Sequence, residues 1–241
     1  MTLGWYEAEL IRRIDPAGRT LGRYFADAIA TPLGLDFHIG LPASFDRGRI
    51  AQLHGCKRAE ALLHVNTRPA ALVLSLLNPF SLTGRAFVVP GMREPAALNR
   101  EEMRTVEIPA ANGTGTAQAL ARLYGCAATG AKEIGITPDV LDSLITPAAR
   151  TRKGLRDRVL HVDSAFSLGF CKPFPKFAFG SSDTAFGTPG TGCAFGIAEP
   201  DTGVGFGYVM NRLGFHLWSD PRKLALRDAL FHDILGDRRQ T

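Results

Sequence analysis

The sequence predicts an α+β fold: helices first, antiparallel strands after them, and one helix to close the chain. Two patterns carry this. Apolar residues recur at helical spacing through much of the first part of the chain. From about Leu160 onward, glycine, phenylalanine and β-branched residues dominate and two runs alternate strictly. Residues 1–158 thus read as a mostly helical region and 159–241 as antiparallel strands with a C-terminal helix, within a single domain 1–241.

Trp5, Leu10, Ile11 and Ile14 make Gly4–Ile14 a helix, and Asp15-Pro16-Ala17-Gly18 is a turn. Thr20 caps a second helix with Leu21, Tyr24, Phe25, Ala28 and Ile29 on its apolar face, expected to end before Pro32 and Gly34. Asp36–Leu41 is extended. Helical pieces are expected at Asp46–His54 and Ala70–Leu77, and another over Gly115–Ala127, with Gly130 beyond its end. Thr137-Pro138 has the N-cap and first-turn proline pattern of a further short helix.

Cys193, Phe195 and Ile197 alternate with Ala194, Gly196 and Ala198; Val204, Phe206, Tyr208 and Met210 alternate with Gly205, Gly207 and Val209. Glu199-Pro200-Asp201-Thr202-Gly203 between them supplies turn chemistry, which makes a hairpin. One face is large and the other small, so a helix can approach closely. The helix expected to do so is Pro221–Leu235, which follows at once.

With 45% hydrophobic and 21% charged residues the composition is that of a globular protein. The net charge of +5 is scattered. Its densest run, Arg150, Arg152, Lys153, Arg156 and Arg158, has no interleaved aromatic residue and reads as a solvated loop, so no nucleic-acid partner is expected. The four cysteines (56, 126, 171, 193) form no C-x-x-C pair and are expected reduced and buried. No signal-peptide pattern opens the chain and no apolar run is long enough for a membrane span, so a soluble, cytoplasmic protein is expected.

Catalytic motifs are missing. No serine is followed three residues later by lysine, and neither G-x-S-x-G nor H-E-x-x-H occurs. The six histidines have no ligand spacing, so neither metal nor cofactor is expected; His161 and Asp163, two apart in an expected strand, share a face and read as structural. Asn112-Gly113-Thr114-Gly115-Thr116 precedes a helix but lacks the third glycine of a nucleotide loop.

Six phrases, in order along the chain, together carry a resemblance. They are Leu3-Gly4-Trp5 with Glu9-Leu10-Ile11, Pro32–Asp36, Glu107–Gly113, Ala119–Gly125, Phe186–Gly192 and Gly205–Asn211. The sequence resembles the serine β-lactamase-like superfamily, of class C β-lactamase and family VIII esterase type. The resemblance implies a β-lactamase/penicillin-binding-protein-like fold of which the N-terminal part is missing. It also implies an acyl-enzyme mechanism on small ester or amide substrates, with a serine and lysine in S-x-x-K and a tyrosine in a second motif. By this likeness both motifs belong before Met1, and Tyr6 and Tyr24 do not match the tyrosine.

The third motif, K-T-G or H-x-G in the family, matches Thr188-Pro189-Gly190, with threonine in place of the cation. The resemblance makes the backbone N–H of Thr191 one oxyanion-hole donor; the other is the serine's own N–H. Two readings stay open: part of an esterase-like serine hydrolase, inactive alone, or a catalytically dead shortened homologue that binds a ligand or partner. With strands of the family sheet missing, self-association through an open edge is expected.

Overall fold

A computed structural model describes residues 2–55, 67, 69–87, 92, 95–147, 152, 154–174, 177–217 and 220–236. Helix α1 (Thr2–Ile14) forms where the spacing requires it, and the following turn closes with Gly18 at φ +61°. Arg19 holds the buried Asp15 carboxylate there at 2.9 Å, keeping it well below the usual carboxylate range. Helix α2 (Leu21–Phe25) takes its cap from Thr20 as expected. It has a second cap from far along the chain: Glu107 accepts from the Gly22 N–H at 2.9 Å and from the Thr20 hydroxyl at 2.6 Å.

The helical path then continues through a π-helical stretch, Ala26–Ala30, into α3 (Thr31–Leu33). The sequence placed the end before Pro32. The chain instead passes through Pro32 and stops at Gly34, φ +58°. Proline gives up one backbone hydrogen bond there, and the wider π turn before it leaves room for the ring.

Next come β1 (Phe37–Ile39), α4 (Ala70–Leu77), α5 (Leu82–Phe87), α6 (Glu101–Thr105), β2 (Gly113–Gly115), α7 (Ala117–Ala128) and α8 (Pro138–Ile145). The helix expected over Asp46–His54 is absent. Asp46 turns its side chain onto the Gly48 N–H at 2.9 Å, a local bond that competes with helix. Only a 3₁₀ turn, Arg47–Arg49, forms before the chain extends to a bridge between His54 and Arg212. The glycines of Asn112–Thr116 serve packing: β2 pairs antiparallel with β1, and a β-carbon at Gly113 would lie 2.7 Å from the Phe37 ring. Asn112 is buried and ties its own loop, accepting from the Ile108 N–H at 2.9 Å and donating to the Met103 carbonyl at 3.1 Å.

The main sheet has β3 (Phe166–Ser167), β4 (Phe170–Cys171), β5 (Phe186–Pro189), β6 (Phe195–Glu199) and β7 (Val204–Tyr208), all antiparallel in that order. The expected hairpin is β6–β7, with Gly196 opposite Gly207 and Phe195 opposite Tyr208. Phe186, Thr188, Gly196, Ala198, Gly205 and Gly207 share one face; Phe195, Ile197, Phe206 and Tyr208 share the other.

The helix on the small face is α7, not the C-terminal helix that the sequence pointed to. A β-carbon at Gly207 would lie 2.6 Å from the Ala117 carbonyl oxygen, and one at Gly205 would strike the backbone of Gly125 and Ala121. The C-terminal helix, α9 (Pro221–Asp228) and its π-helical continuation Ala229–Ile234, packs on the large face. There Lys223 stands between the rings of Phe177 and Phe195, at 5.6 and 5.1 Å. Volume decides between the two. The large face leaves room for side chains between helix and sheet, whereas the glycine face admits only a helix whose own contact residues are small.

Two buried charges tie loops to this sheet. Lys172 donates from Nζ to the carbonyls of Leu144 and Ile145, each at 3.0 Å, and of Thr184 at 2.9 Å, which caps the C-terminus of α8. Glu199 accepts from the backbone N–H of Ser181 and Ser182 and from the Ser182 hydroxyl; burial raises its pKa against those bonds.

Candidate active site at the end of strand β5

Thr188, Pro189 and Gly190 lie at the end of β5, where Thr188 pairs with Gly196 and Pro189 with Phe195. Gly190 turns the chain, and its N–H donates to the Ala194 carbonyl at 2.6 Å. A 3₁₀ turn, Thr191–Cys193, follows. Thr191 is exposed and opens that turn, so its N–H has no partner within it. Among the described residues no acceptor is bonded to that N–H. The structure therefore brings all four residues singled out in the sequence to one short, surface-accessible corner.

The corner is rigid from below. Gly192 at φ +77° carries no side chain because Leu213 and Met210 press on it, and its carbonyl accepts from the Gly214 N–H at 3.0 Å. Cys193 holds φ +82°, a conformation that normally favours glycine, and its thiol donates to the His216 carbonyl at 3.1 Å. Burial, with Asp220 nearby, pushes that thiol up to about 12, so it is not a nucleophile. Asp220, buried, caps α9 through the Arg222 N–H at 2.9 Å and pairs with the Arg222 guanidinium at 2.8 Å, which holds its carboxyl well below the usual range. Arg222 in turn donates to the Arg212 carbonyl at 2.9 Å, closing the 212–222 segment under the turn.

Tyr124 of α7 packs on β6 beside the site. It lies over Gly196, the partner of Thr188 across the β5–β6 pair, and Thr188 is near enough to its hydroxyl to act against the effect of burial. Burial raises its pKa, so it stays a neutral phenol and not a base. The signal was present in the sequence: Leu120 and Tyr124 share a helical face, and the hairpin's small face needs a ring to fill it. Tyr6 is exposed, and Tyr24 carries the Arg19 guanidinium 5.0 Å over its ring; among the described residues neither is hydrogen-bonded to the corner.

His161 and Asp163 do not share a strand face. His161 sits in a bend at φ +57°, and its Nε2 lies 2.9 Å from the Ser75 hydroxyl, while Asp163 bridges to Arg156. Its neighbour Val162 accepts from the Asp157 N–H within that tight loop, which a strand could not form. Cys126, Cys171 and Cys193 are free and buried; Cys56, Arg150 and Lys153 lie outside the described residues. Among the described residues no three His, Cys, Asp or Glu side chains converge as a metal site would require, and no helix is long and apolar enough to cross a membrane.

The Beta-lactamase family profile matches residues 7–230. Esterase/beta-lactamase LipL of Mycobacterium tuberculosis is 33% identical over 215 residues, covering 88% of this chain and 47% of LipL. EstA from Arthrobacter nitroguajacolicus Rue61a superposes with a TM-score of 0.76 at 28% identity, over 98% of this chain and 59% of EstA. A penicillin-binding protein homolog from Caulobacter crescentus gives a TM-score of 0.68 at 32% identity, over 97% of this chain and 57% of the homolog. The chain thus spans about half the length of these relatives. The strand-and-turn corner built on Thr188–Thr191, the α7-covered glycine face and the match across nearly every residue agree: this chain belongs to the Beta-lactamase family, with a β-lactamase/penicillin-binding-protein-like fold.

Proposed function

We propose that this chain forms the strand side of an acyl-transfer site in an esterase-like serine hydrolase that takes small ester or amide acyl groups through an acyl-enzyme. The observation that carries the reading is the Thr191 N–H, exposed at the end of β5 and bonded to no acceptor among the described residues. A backbone donor held by a rigid turn stabilises the negative charge that develops on a carbonyl oxygen under attack, and it does so without reorganising. Pro189 and Gly190 aim it. Gly192 and Cys193, locked by the segment below, keep it from relaxing.

The nucleophile is a separate matter. The 241 residues contain no S-x-x-K; the relatives, among them an esterase/β-lactamase and a family VIII carboxylesterase, are longer proteins, and the resemblance places the nucleophilic serine in an S-x-x-K motif. A second reading, a catalytically dead homologue that binds a ligand or partner, is favoured by one observation. Thr188 stands where the family has lysine or histidine, opposite the Gly196 that Tyr124 covers.

The test is turnover of short-chain nitrophenyl esters by this chain alone and by this chain fused behind the amino-terminal portion of a family VIII carboxylesterase. Turnover by the folded fusion, and none by the chain alone, is expected. A folded fusion whose serine is not labelled by a fluorophosphonate overturns the hydrolase reading.

A further inference from the structure

Away from β5, the hairpin made by α4 and α5 turns apolar side chains outward. Helix α4 buries Leu72 and leaves Leu74 at 67% and Leu77 at 76% exposed; Phe80, at the tip, is 89% exposed and Leu82 51%. Across Ala70–Phe87 there is no carboxylate, and the one charged residue is Arg85, one turn after Leu82 on the same side of α5.

The basic loop around Arg156 and Arg158 is fastened to this hairpin. The Ser75 hydroxyl meets His161 Nε2 at 2.9 Å, and the Thr83 hydroxyl donates to the Val159 carbonyl at 2.6 Å. Arg156 and Arg158 are exposed on that loop. Elsewhere Arg12, Arg13, Arg19, Arg23, Arg47 and Arg49 each pair with a carboxylate. Among the described residues Arg85, Arg156 and Arg158 pair with none. The nearest acid in sequence, Asp157, spends one oxygen on the N–H groups of Val159 and Leu160 at 2.7 and 2.8 Å.

We propose that this hairpin docks the protein on an anionic lipid surface. Leu74, Leu77, Phe80 and Leu82 enter the boundary between headgroups and acyl chains, and Arg85, Arg156 and Arg158 meet the phosphates. Apolar insertion and basic attraction together give binding that either signal alone leaves marginal. Charge picks this occupant over a second copy of the chain: Ala70–Phe87 offers no carboxylate to the arginines of a copy, and Asp157 is turned onto the backbone of its own loop, so a self-contact would set arginine against arginine. Both helices are far too short to span, so the association is peripheral.

The experiment is co-sedimentation of the purified chain with vesicles of phosphatidylcholine, with and without a quarter of phosphatidylglycerol, at low and high salt. Anionic vesicles should bind roughly tenfold more tightly than neutral ones, and salt should weaken the binding. The double variant Leu77→Glu/Phe80→Glu should lose roughly tenfold or more of the affinity while its thermal transition is unchanged, because both side chains are exposed. Arg85→Gln/Arg158→Gln, which leaves the apolar tip intact, should lose mainly the anionic preference. Equal binding to both vesicle types, full binding by Leu77→Glu/Phe80→Glu, or concentration-dependent dimerisation that this variant abolishes would each overturn the proposal.

Discussion

Tyr124 of α7 lies directly over Gly196 of β6, so closely that a β-carbon at 196 would overlap the phenol ring. The ring is buried between helix and sheet, and Thr188, opposite Gly196 on β5, lies near its hydroxyl end. Gly196 therefore joins Gly205 and Gly207 in setting the helix–sheet distance, at the point of β6 that pairs with Thr188.

Gly196→Ala should lower stability by about 1–3 kcal/mol, the usual range for overpacking a filled interior. Thermal unfolding reads the loss. A variant as stable as the parent would show that Tyr124 can move and that Gly196 does not fix its place over β6.

The Tyr124 hydroxyl and Thr188 should be energetically coupled. Tyr124→Phe and Thr188→Ala should each cost about 1 kcal/mol, and the double variant should cost less than their sum by roughly 0.5–1.5 kcal/mol. Additive losses in the double-mutant cycle would mean that the two groups do not interact. In the fusion that supplies a nucleophile, Thr188→His should raise kcat/KM by restoring a group able to bind substrate charge. A lower rate would mean that Tyr124 needs the threonine more than the substrate needs the histidine.

Lys172 makes a pH prediction. Burial lowers its pKa from 10.5 to about 8, against the pull of Glu199 and Asp183. Below pH 8 the amine is charged in both the folded and the unfolded chain, so stability does not change with pH on its account. Between about 8 and 10.5 the unfolded chain keeps a proton that the folded chain has released, so this group adds stability as pH rises, by roughly 3 kcal/mol in all. The buried thiols of Cys171 and Cys193, pushed up to about 12, act in the opposite sense above pH 9. The informative quantity is thus the difference between the parent and Lys172→Met, measured by denaturant unfolding at pH 7 and pH 10. The parent should gain on the variant as pH rises, and a pH-independent difference would refute the shift.

Strand β7 should drive self-association. Among the described residues no strand pairs with its outer side, and Val204-Gly205-Phe206-Gly207-Tyr208 carries neither charge nor proline to guard it. Helix α7 sits over this last strand, with Gly205 and Gly207 beneath it. Sedimentation should show mass rising with concentration, and Val209→Lys, at the exposed end of the strand, should reduce it. A monomer at every concentration would show that something else covers the edge.

The local elements were legible in the sequence because their causes lie within a few residues. Apolar spacing made α1, Thr20 and Thr137-Pro138 started their helices, and strict alternation around Glu199–Gly203 made the β6–β7 hairpin. The sequence also marked the Thr188–Thr191 corner, though by likeness to a family and not by its own pattern. What it did not decide is which surfaces meet. Two amphipathic helices could have taken the glycine face. The choice fell to α7 because Ala117, Ala121 and Gly125 are small enough to let its backbone touch Gly205 and Gly207, while α9 brings Lys223 between two rings on the other side. The same holds for Glu107 capping a helix 85 residues upstream, Lys172 closing the end of α8, and Tyr124 covering Gly196. Periodicity reports how a segment partitions between water and core. It carries no information about which buried partner, distant along the chain, satisfies a given donor or fills a given gap; that is decided only when volumes and hydrogen bonds are matched in three dimensions.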